Sequence, residues 1–594
     1  MSGSNNTRFI IIGTLFGLVG VLVFFQMISI QNRPDMQKLK VESEQKHNTI
    51  DLTVIPERGW IYDANGKLLA GSKEVYEIGI DLKSIGDKTA TVETQAVAAA
   101  VSKVTGIEYA ELLAKATVDR NTYWYMRLAD GIDPAKATEL RKMKQEAFNQ
   151  GKSDLQSLFL MAHLQRSYPE GSLAANVLGY VTSLDPQNPR GVNGIEGRYN
   201  SYLAGTAVKV SLPASPYDIA TIPNLPSGAS LILTINREIQ GAVEKIIDKA
   251  VKDNGAASGT VIVTDPRNGE IIAMASTPRI DPNQYWLAKT ELLLKNIPWN
   301  RAVSQIYEPG SIFKPITMAL AVEAGKVNSK TTYNDRGYFD APGRRIINWD
   351  GRAYGLQTMI GCLEHSLNTC LSWVVNQLGE QKFYEGIRAF GIGQPSNVDL
   401  DGEDYYPVRL PGDPDWTMLS LANNAFGQGV AVAPIQMVAA MSGIANGGKI
   451  MAPHILRAVV DNGRQYNNPP QVISQPVSAA TANEVTEMLA QAIDGESLHM
   501  KIDGYRFAGK TGTAEIPLPT GGYFSDKTNA SFIGWGPVDD PHFMIFVWLE
   551  KPGGPQPFGS VVAAPVFKDI FLTCVQLTNL PPDAIRLKLT GKKP

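Results

Sequence analysis

Residues 307–314 read Tyr307-Glu308-Pro309-Gly310-Ser311-Ile312-Phe313-Lys314, and this stretch decides how the chain is understood. Pro309 and Gly310 break the backbone just before Ser311. The run 311–324 that follows is helix-like, with Gly325 as a stop and Lys326 suited to a negative helix end. Pro315 falls in the first turn, where a missing N–H costs little. Residues three apart on a helix are neighbours, about 5–6 Å between Cβ atoms, so the Lys314 amine lies over the Ser311 hydroxyl. A serine is a weak nucleophile until a base takes its proton. Lysine can be that base only when neutral, which requires a dry or positively charged surround. Alone, the S-x-x-K pattern also reads as an N-cap serine with a solvated lysine one turn on. Ser43-Glu44-Gln45-Lys46 fits the same pattern.

Two later motifs give the serine its setting: Ser366-Leu367-Asn368 and Lys510-Thr511-Gly512-Thr513. Ser366 can relay a proton between Lys314 and a leaving amine, and the Asn368 amide can bind a peptide backbone. Lys510 supplies the positive neighbour that Lys314 needs, and with Thr511 it can hold a substrate carboxylate. Gly512 would admit a substrate backbone. The N–H groups of Ser311 and Thr513 can form an oxyanion hole. The plain alternatives are good capping chemistry at 366–369 and a strand turn at Lys510.

Lys510 also closes a competing pattern. Gly504-Tyr505-Arg506-Phe507-Ala508-Gly509-Lys510-Thr511 matches the phosphate-binding G-x-x-x-x-G-K-T. That loop needs a buried strand before it and a helix after it. The preceding residues 498–503 are not strand-like, while Pro517, Pro519, Gly521 and Gly522 exclude a helix. The alternation of Tyr505 and Phe507 instead predicts a strand through the K-T-G, over 505–515.

Composition narrows the classes. The 594 residues are 44% hydrophobic and 19% charged with net charge −3, an ordinary globular balance long enough for two or more domains. Near-neutral charge gives no footprint for nucleic acid. The six histidines show no metal-ligand spacing, and no serine stands in G-x-S-x-G. Three cysteines are too few for a disulfide framework. Cys362 and Cys370 flank the S-x-N motif, and a continuous helix between them would hold them about 12 Å apart, too far to bridge.

One segment is not soluble. Residues 9–30 carry no charge and at helical rise span about 33 Å, enough for a bilayer. The run is too long for a signal-peptide core, and bulky residues 26–30 offer no cleavage site, so it reads as an uncleaved single-pass anchor. Arg8 precedes it, while Arg33, Lys38, Lys40 and Lys46 follow, so flanking charge does not settle its orientation.

The domains are expected as a tail over 1–8, the anchor over 9–30, a β-rich pedestal over 31–225, a catalytic domain over 226–580 and a tail over 581–594. A polar stalk starts the pedestal. Asn65-Gly66 then marks a hairpin between residues 60–62 and 67–69, and Tyr76, Ile78 and Ile80 alternate as a strand. Residues 89–156 read as helical, and 177–181 as β-like. In the catalytic part, 231–235 reads as a strand and 237–252 as a helix. Residues 260–265 and 270–276 read as a hairpin, the middle as helical, and 505–515, 530–535 and 542–551 as strands. This order predicts an α+β domain with helices packed on an antiparallel sheet.

The ordered triplet resembles that of the class B penicillin-binding proteins, membrane-anchored peptidoglycan D,D-transpeptidases. The likeness extends to Arg58-Gly59-Trp60-Ile61-Tyr62-Asp63, Gly194-Ile195-Glu196, Asp265-Pro266, Gly427-Gln428-Gly429 and Ala445-Asn446-Gly447-Gly448. Ala64 stands where that family often has arginine. The resemblance implies Ser311 as nucleophile, Lys314 as base, Ser366 and Lys510 as further catalytic groups, and Asn368, Thr511, Gly512 and Thr513 as substrate-binding residues. It implies a penicillin-binding fold on a dimerisation-type pedestal and a cell-wall role in shape or division. Peptidoglycan stem peptides are the implied substrate, β-lactams the inhibitors and a polytopic membrane glycosyltransferase the partner. No metal or organic cofactor is implied. Cell-wall chemistry happens outside, which places the catalytic domain beyond the membrane. The competing readings are a D,D-carboxypeptidase, which hands the acyl group to water, and a non-catalytic β-lactam sensor on the same fold.

Overall fold

The computed structural model describes residues 4–591 apart from 32, 34–37, 39–48, 87–88, 121, 183–188, 214–224, 288–296, 496–499 and 519–521. The chain divides into two units, Met1–Pro56 with Gly205–Pro226, and Glu57–Ala204 with Ser227–Pro594. Most of the expected stalk, and residues 214–224 just before the expected boundary at 225/226, lie outside the described residues.

The first unit contains the apolar helix Ser4–Gln31, whose span Ile11–Ile30 has a mean hydropathy of 2.4 and no buried residue. A bare apolar surface of that length is what a bilayer covers. Thr49–Val54 and Val208–Pro213 pair antiparallel in the same unit.

The second unit is built on two large sheets, of five and seven strands. The five-stranded antiparallel one runs Ile271–Thr277, Ser258–Thr264, Phe543–Glu550, Tyr523–Gly536, Ala508–Pro517, so the K-T-G strand is its edge. Side chains alternate across its faces. Val261, Val263, Ile545, Val547 and Phe532 pack with Ile239, Val243 and Ile247 of the helix Arg237–Asp253 and with Phe567 and Phe571 of Ala564–Leu577. Ile262, Ile533, Phe546 and Trp548 face the opposite way, into a core shared with the helices Lys314–Glu323, Pro434–Ala445 and Ala479–Gly495. The result is the expected α+β arrangement with helices on both faces. Burial on two sides explains why Ser258–Thr264 is buried throughout.

The second, seven-stranded sheet takes in the strands between residues 61 and 167. Ile61–Tyr62 turns at Gly66 (φ +77°) into the long strand Leu68–Asp81, with Asp63 Oδ1 accepting from the N–H groups of Asn65 and Lys67. Ser230–Leu233 does not join the five-stranded sheet. It pairs parallel with Ile61–Tyr62 and antiparallel with Leu456–Asp461, so one ladder joins strands from the two ends of this unit's sequence.

The helical reading of 89–156 holds at Ala90–Thr105, Tyr109–Ala116 and Pro134–Asn149 but misses the strand Tyr125–Ile132. Only Leu128 and Ala129 of it are buried, and the strand depends on pairing with Leu68–Asp81, a partner that local pattern cannot reveal. Val177 and Leu178, read as β-like, close the short helix Ala175–Leu178 instead.

Arg58 and Arg166 converge on Glu196, with Arg58 Nε to Oε2 at 2.7 Å and Arg166 Nε to Oε1 at 2.6 Å. Tyr168 OH donates to the same carboxylate at 3.2 Å. Burial pushes the Glu196 carboxyl up, and Arg166 and Arg58 outweigh it, holding it below the ordinary range. Near Ala64, Arg457 pairs with Glu270 at 2.8 Å and donates to the Ala64 carbonyl at 3.4 Å. A guanidinium from the strand Leu456–Asp461 therefore reaches the residue where the family often has arginine.

Candidate active site

The serine turn is a 3-10 segment, Gly310–Phe313, running directly into the helix Lys314–Glu323 as expected. Gly310 adopts φ +58° and donates to the Gly427 carbonyl at 3.1 Å. Gly427 itself has φ +81°, and a Cβ there would lie 2.3 Å from the Gly310 oxygen. The Gly427-Gln428-Gly429 segment thus owes its glycine to a backbone pressed on the serine turn. Ser311 is half-buried, whereas Lys314 has no solvent exposure.

Lys314 Nζ meets three oxygens, Ser366 O at 2.6 Å, Asn368 Oδ1 at 2.9 Å and Ser366 Oγ at 3.0 Å. Three acceptors suit an ammonium. Burial opposes that charge first and the Lys510 ammonium second, so the amine titrates well below the ordinary lysine range. A neutral amine also fits: its two N–H groups serve Ser366 O and Asn368 Oδ1, and its lone pair accepts from the Ser366 hydroxyl. The contact can therefore pass a proton either way.

The S-x-N motif is held in an unusual shape. The helix Met359–Glu364 ends before it and Asn368–Leu378 starts within it, with Ser366 between them at φ +55°. This break overturns the expectation that Cys362 and Cys370 lie too far apart. Their Cα atoms are 6.0 Å apart and the sulfurs are bonded. The sequence argument assumed a continuous helix, and the turn at Ser366 folds the chain back on itself. Beneath the motif, Thr369 Oγ1 donates to Asp335 Oδ1 at 2.8 Å, and Asn348 Nδ2 to Asp335 Oδ2 at 2.8 Å.

Lys510 lies inside the edge strand, paired with Ile533, and the residues after it continue as strand to Pro517. The strand begins at Ala508, three residues later than expected, and Lys510 and Thr511 lie within it rather than at a helix start, so the phosphate-loop pattern is coincidental. Its Nζ approaches the Thr511 carbonyl and hydroxyl, each at 3.3 Å. A Cβ at Gly512 would sit 2.3 Å from Ser531 Oγ and 2.9 Å from Ile312 Cγ2, so this glycine seats the strand on the serine turn. Thr513 Oγ1 accepts from the Gly559 N–H at 3.1 Å. All eight residues singled out from sequence thus fall on three adjoining elements: the serine helix, the disulfide-bracketed turn and the edge strand.

Glu308 was read only as part of the serine motif. Its carboxylate accepts from the Gly429 N–H at 3.1 Å and from Tyr523 OH at 3.0 Å, tying the serine turn to two neighbouring segments. Burial raises its pKa despite those two donors. Trp349 and Phe558 stand exposed beside the same elements.

Residues 259–572 match the penicillin binding protein transpeptidase domain, and residues 53–213 match the penicillin-binding protein dimerisation domain. Stage V sporulation protein D of Bacillus subtilis (strain 168) is 30% identical over 531 residues, covering 87% of this chain and 77% of that protein. Peptidoglycan D,D-transpeptidase FtsI of Escherichia coli (strain K12) is 28% identical over 587 residues, covering 97% and 91%. The crystal structure of penicillin binding protein 2X from Streptococcus thermophilus shares the fold, with a TM-score of 0.72 at 21% identity over 89% of this chain and 80% of that one. The chain belongs to the class B penicillin-binding proteins.

Proposed function

We propose that Ser311 is the acylated nucleophile of a peptidoglycan D,D-transpeptidase. The observation that carries this reading is the fully buried Lys314, held by Ser366 and Asn368 and kept below its ordinary pKa by burial and by Lys510. Neutral Lys314 takes the Ser311 proton as Oγ attacks the penultimate D-alanine carbonyl of a stem peptide. Ser366 passes that proton to the leaving nitrogen, the C–N bond breaks and terminal D-alanine departs. An amine of a neighbouring stem then attacks the ester, the new amide forms, and the displaced serine oxygen recovers a proton. Lys510 and Thr511 hold the terminal carboxylate, Asn368 and Gly512 the peptide backbone, and the N–H groups of Ser311 and Thr513 the oxyanion. β-Lactams acylate the same oxygen.

The helix Ser4–Gln31 is the membrane anchor, and the catalytic domain lies on the outer side, where the substrate is. The division into pedestal and catalytic domain near residue 226 and a polytopic membrane glycosyltransferase as partner belong to the same reading. Labelled penicillin followed by peptide mapping tests it. Label on the peptide carrying Ser311, absent in Ser311→Ala, is the expected result. Label that survives this substitution, or that maps to Ser43, overturns the assignment.

A further inference from the structure

Asp335 ends the strand Thr332–Asp335 behind the S-x-N motif and is 1% exposed. Its carboxylate accepts four hydrogen bonds, two on each oxygen. Oδ1 takes the Thr369 hydroxyl at 2.8 Å and the Gly337 N–H at 3.1 Å. Oδ2 takes Asn348 Nδ2 at 2.8 Å and the Tyr354 N–H at 2.9 Å. All four donors are neutral. Burying a carboxylate costs free energy, and here neutral donors alone fill its acceptor sites. Such an arrangement persists where the geometry it imposes is needed.

Two of the donors show what is imposed. Thr369 directly follows Asn368, and Asn348 directly follows Ile347, the last residue of the strand Arg344–Ile347. Asn348 Oδ1 in turn accepts from the Thr369 N–H at 3.4 Å, closing a triangle of buried side chains. Asp335 thereby clamps the end of that strand to the start of the helix Asn368–Leu378. Between the clamped points, Asn368 Nδ2 donates to the Ile347 carbonyl at 3.3 Å, and its Oδ1 accepts from Lys314 Nζ at 2.9 Å. The two ends of an amide are not interchangeable. Turned over, it would set its oxygen against the Ile347 carbonyl and its N–H groups against Lys314. The Ile347 carbonyl therefore decides which end of Asn368 meets the base, and it leaves the second N–H of Nδ2 for a substrate carbonyl. We propose that Asp335 is a positioning residue for the acyl transfer read above, on which this inference rests. Through Asn348 and Thr369 it fixes the Asn368 amide with its oxygen on Lys314.

The experiment is a double-mutant cycle read as the second-order constant for penicillin acylation of Ser311. Asp335→Asn and Thr369→Val are made in the full chain and again beside Asn368→Ala, with Thr369→Ser as the conservative variant. Asp335→Asn sets an N–H against one pair of donors. Thr369→Val removes the hydroxyl donor and keeps the branched shape, while Thr369→Ser keeps the donor. Alone, the first two are expected to slow acylation about 10-fold, the scale of one lost hydrogen bond, and Thr369→Ser to stay near wild type. Beside Asn368→Ala neither is expected to slow it further, because the amide they orient is gone. Equal slowing with and without the Asn368 amide overturns the proposal, since a loss of general packing acts either way. No slowing by either variant alone, or Thr369→Ser slowing as much as Thr369→Val, overturns it too. If Asp335→Asn does not fold, the Thr369 series decides by the same criteria. Failure of penicillin to acylate wild-type Ser311 would instead remove the transpeptidase reading itself.

Discussion

Lys314 Nζ contacts Ser366 twice, at the carbonyl (2.6 Å) and at the hydroxyl (3.0 Å), because Ser366 sits at φ +55°. A left-handed serine costs about 1–2 kcal/mol, so the surroundings must impose that backbone. The double contact fixes the base and the proton relay as one unit. It also makes the charge on Lys314 the variable on which acylation turns.

Lys314→Arg tests that variable. Arginine keeps a positive charge but does not release its proton. Penicillin acylation is expected to fall at least about 100-fold, the usual contribution of a general base. Stopped-flow acylation beside a thermal melt checks this, since a folded variant that acylates at the wild-type rate reduces Lys314 to an electrostatic group.

Glu196 offers a stability test away from the chemistry. Its folded pKa lies below its unfolded value, because Arg166 and Arg58 outweigh burial. Its contribution is therefore complete above the ordinary glutamate range and disappears as pH falls through the folded value. Glu196→Gln strands two buried guanidiniums and should cost about 3–5 kcal/mol at neutral pH. Denaturant unfolding at pH 7 and at progressively lower pH should show the difference narrowing with acid. A difference independent of pH would mean that packing, not charge, is what the residue supplies.

The fold class and the three motifs that the structure brings together were legible because each signal is local. Ser311 and Lys314 share one helical turn, and Pro517, Pro519, Gly521 and Gly522 rule out a helix after the K-T-G, although the strand starts after Tyr505 and Phe507. What stayed hidden depends on partners distant in sequence. The strand Tyr125–Ile132 exists through its pairing with Leu68–Asp81. Glu308 finds Tyr523 only once the edge strand and its neighbour are in place. The Cys362–Cys370 bond failed for another reason: a helix-based distance cannot anticipate one left-handed residue at Ser366.

That disulfide should matter to catalysis as well as to stability. It closes a short loop around Ser366 and Asn368, both of which hold Lys314. Replacing both cysteines by alanine should remove about 2–4 kcal/mol and also slow acylation, as Ser366 relaxes from its left-handed conformation. Calorimetry and penicillin labelling on the same preparation separate the two effects. A lower melting temperature with unaltered acylation would confine the disulfide to stapling the two helices.

Lys510→Ala should move a pH limb rather than only lower a rate. Burial is the first cause of the depressed Lys314 pKa and the Lys510 charge the second. Removing the neighbour lets the Lys314 pKa rise, so more of the amine is protonated at neutral pH. The limb over which acylation climbs with pH therefore shifts to more alkaline values. A second loss remains after that limb is passed, because the substrate carboxylate has lost its charge-assisted contact. At about 1.5–3 kcal/mol, felt fully in the transition state, that loss slows acylation about 10- to 150-fold. Stopped-flow acylation across pH in wild type and variant resolves both parts. A rate deficit with the limb unmoved would assign Lys510 to carboxylate binding alone. A moved limb with no deficit above it would assign it to holding Lys314 neutral. If neither changes, the edge strand contributes nothing to the chemistry and Lys314 is tuned by burial alone.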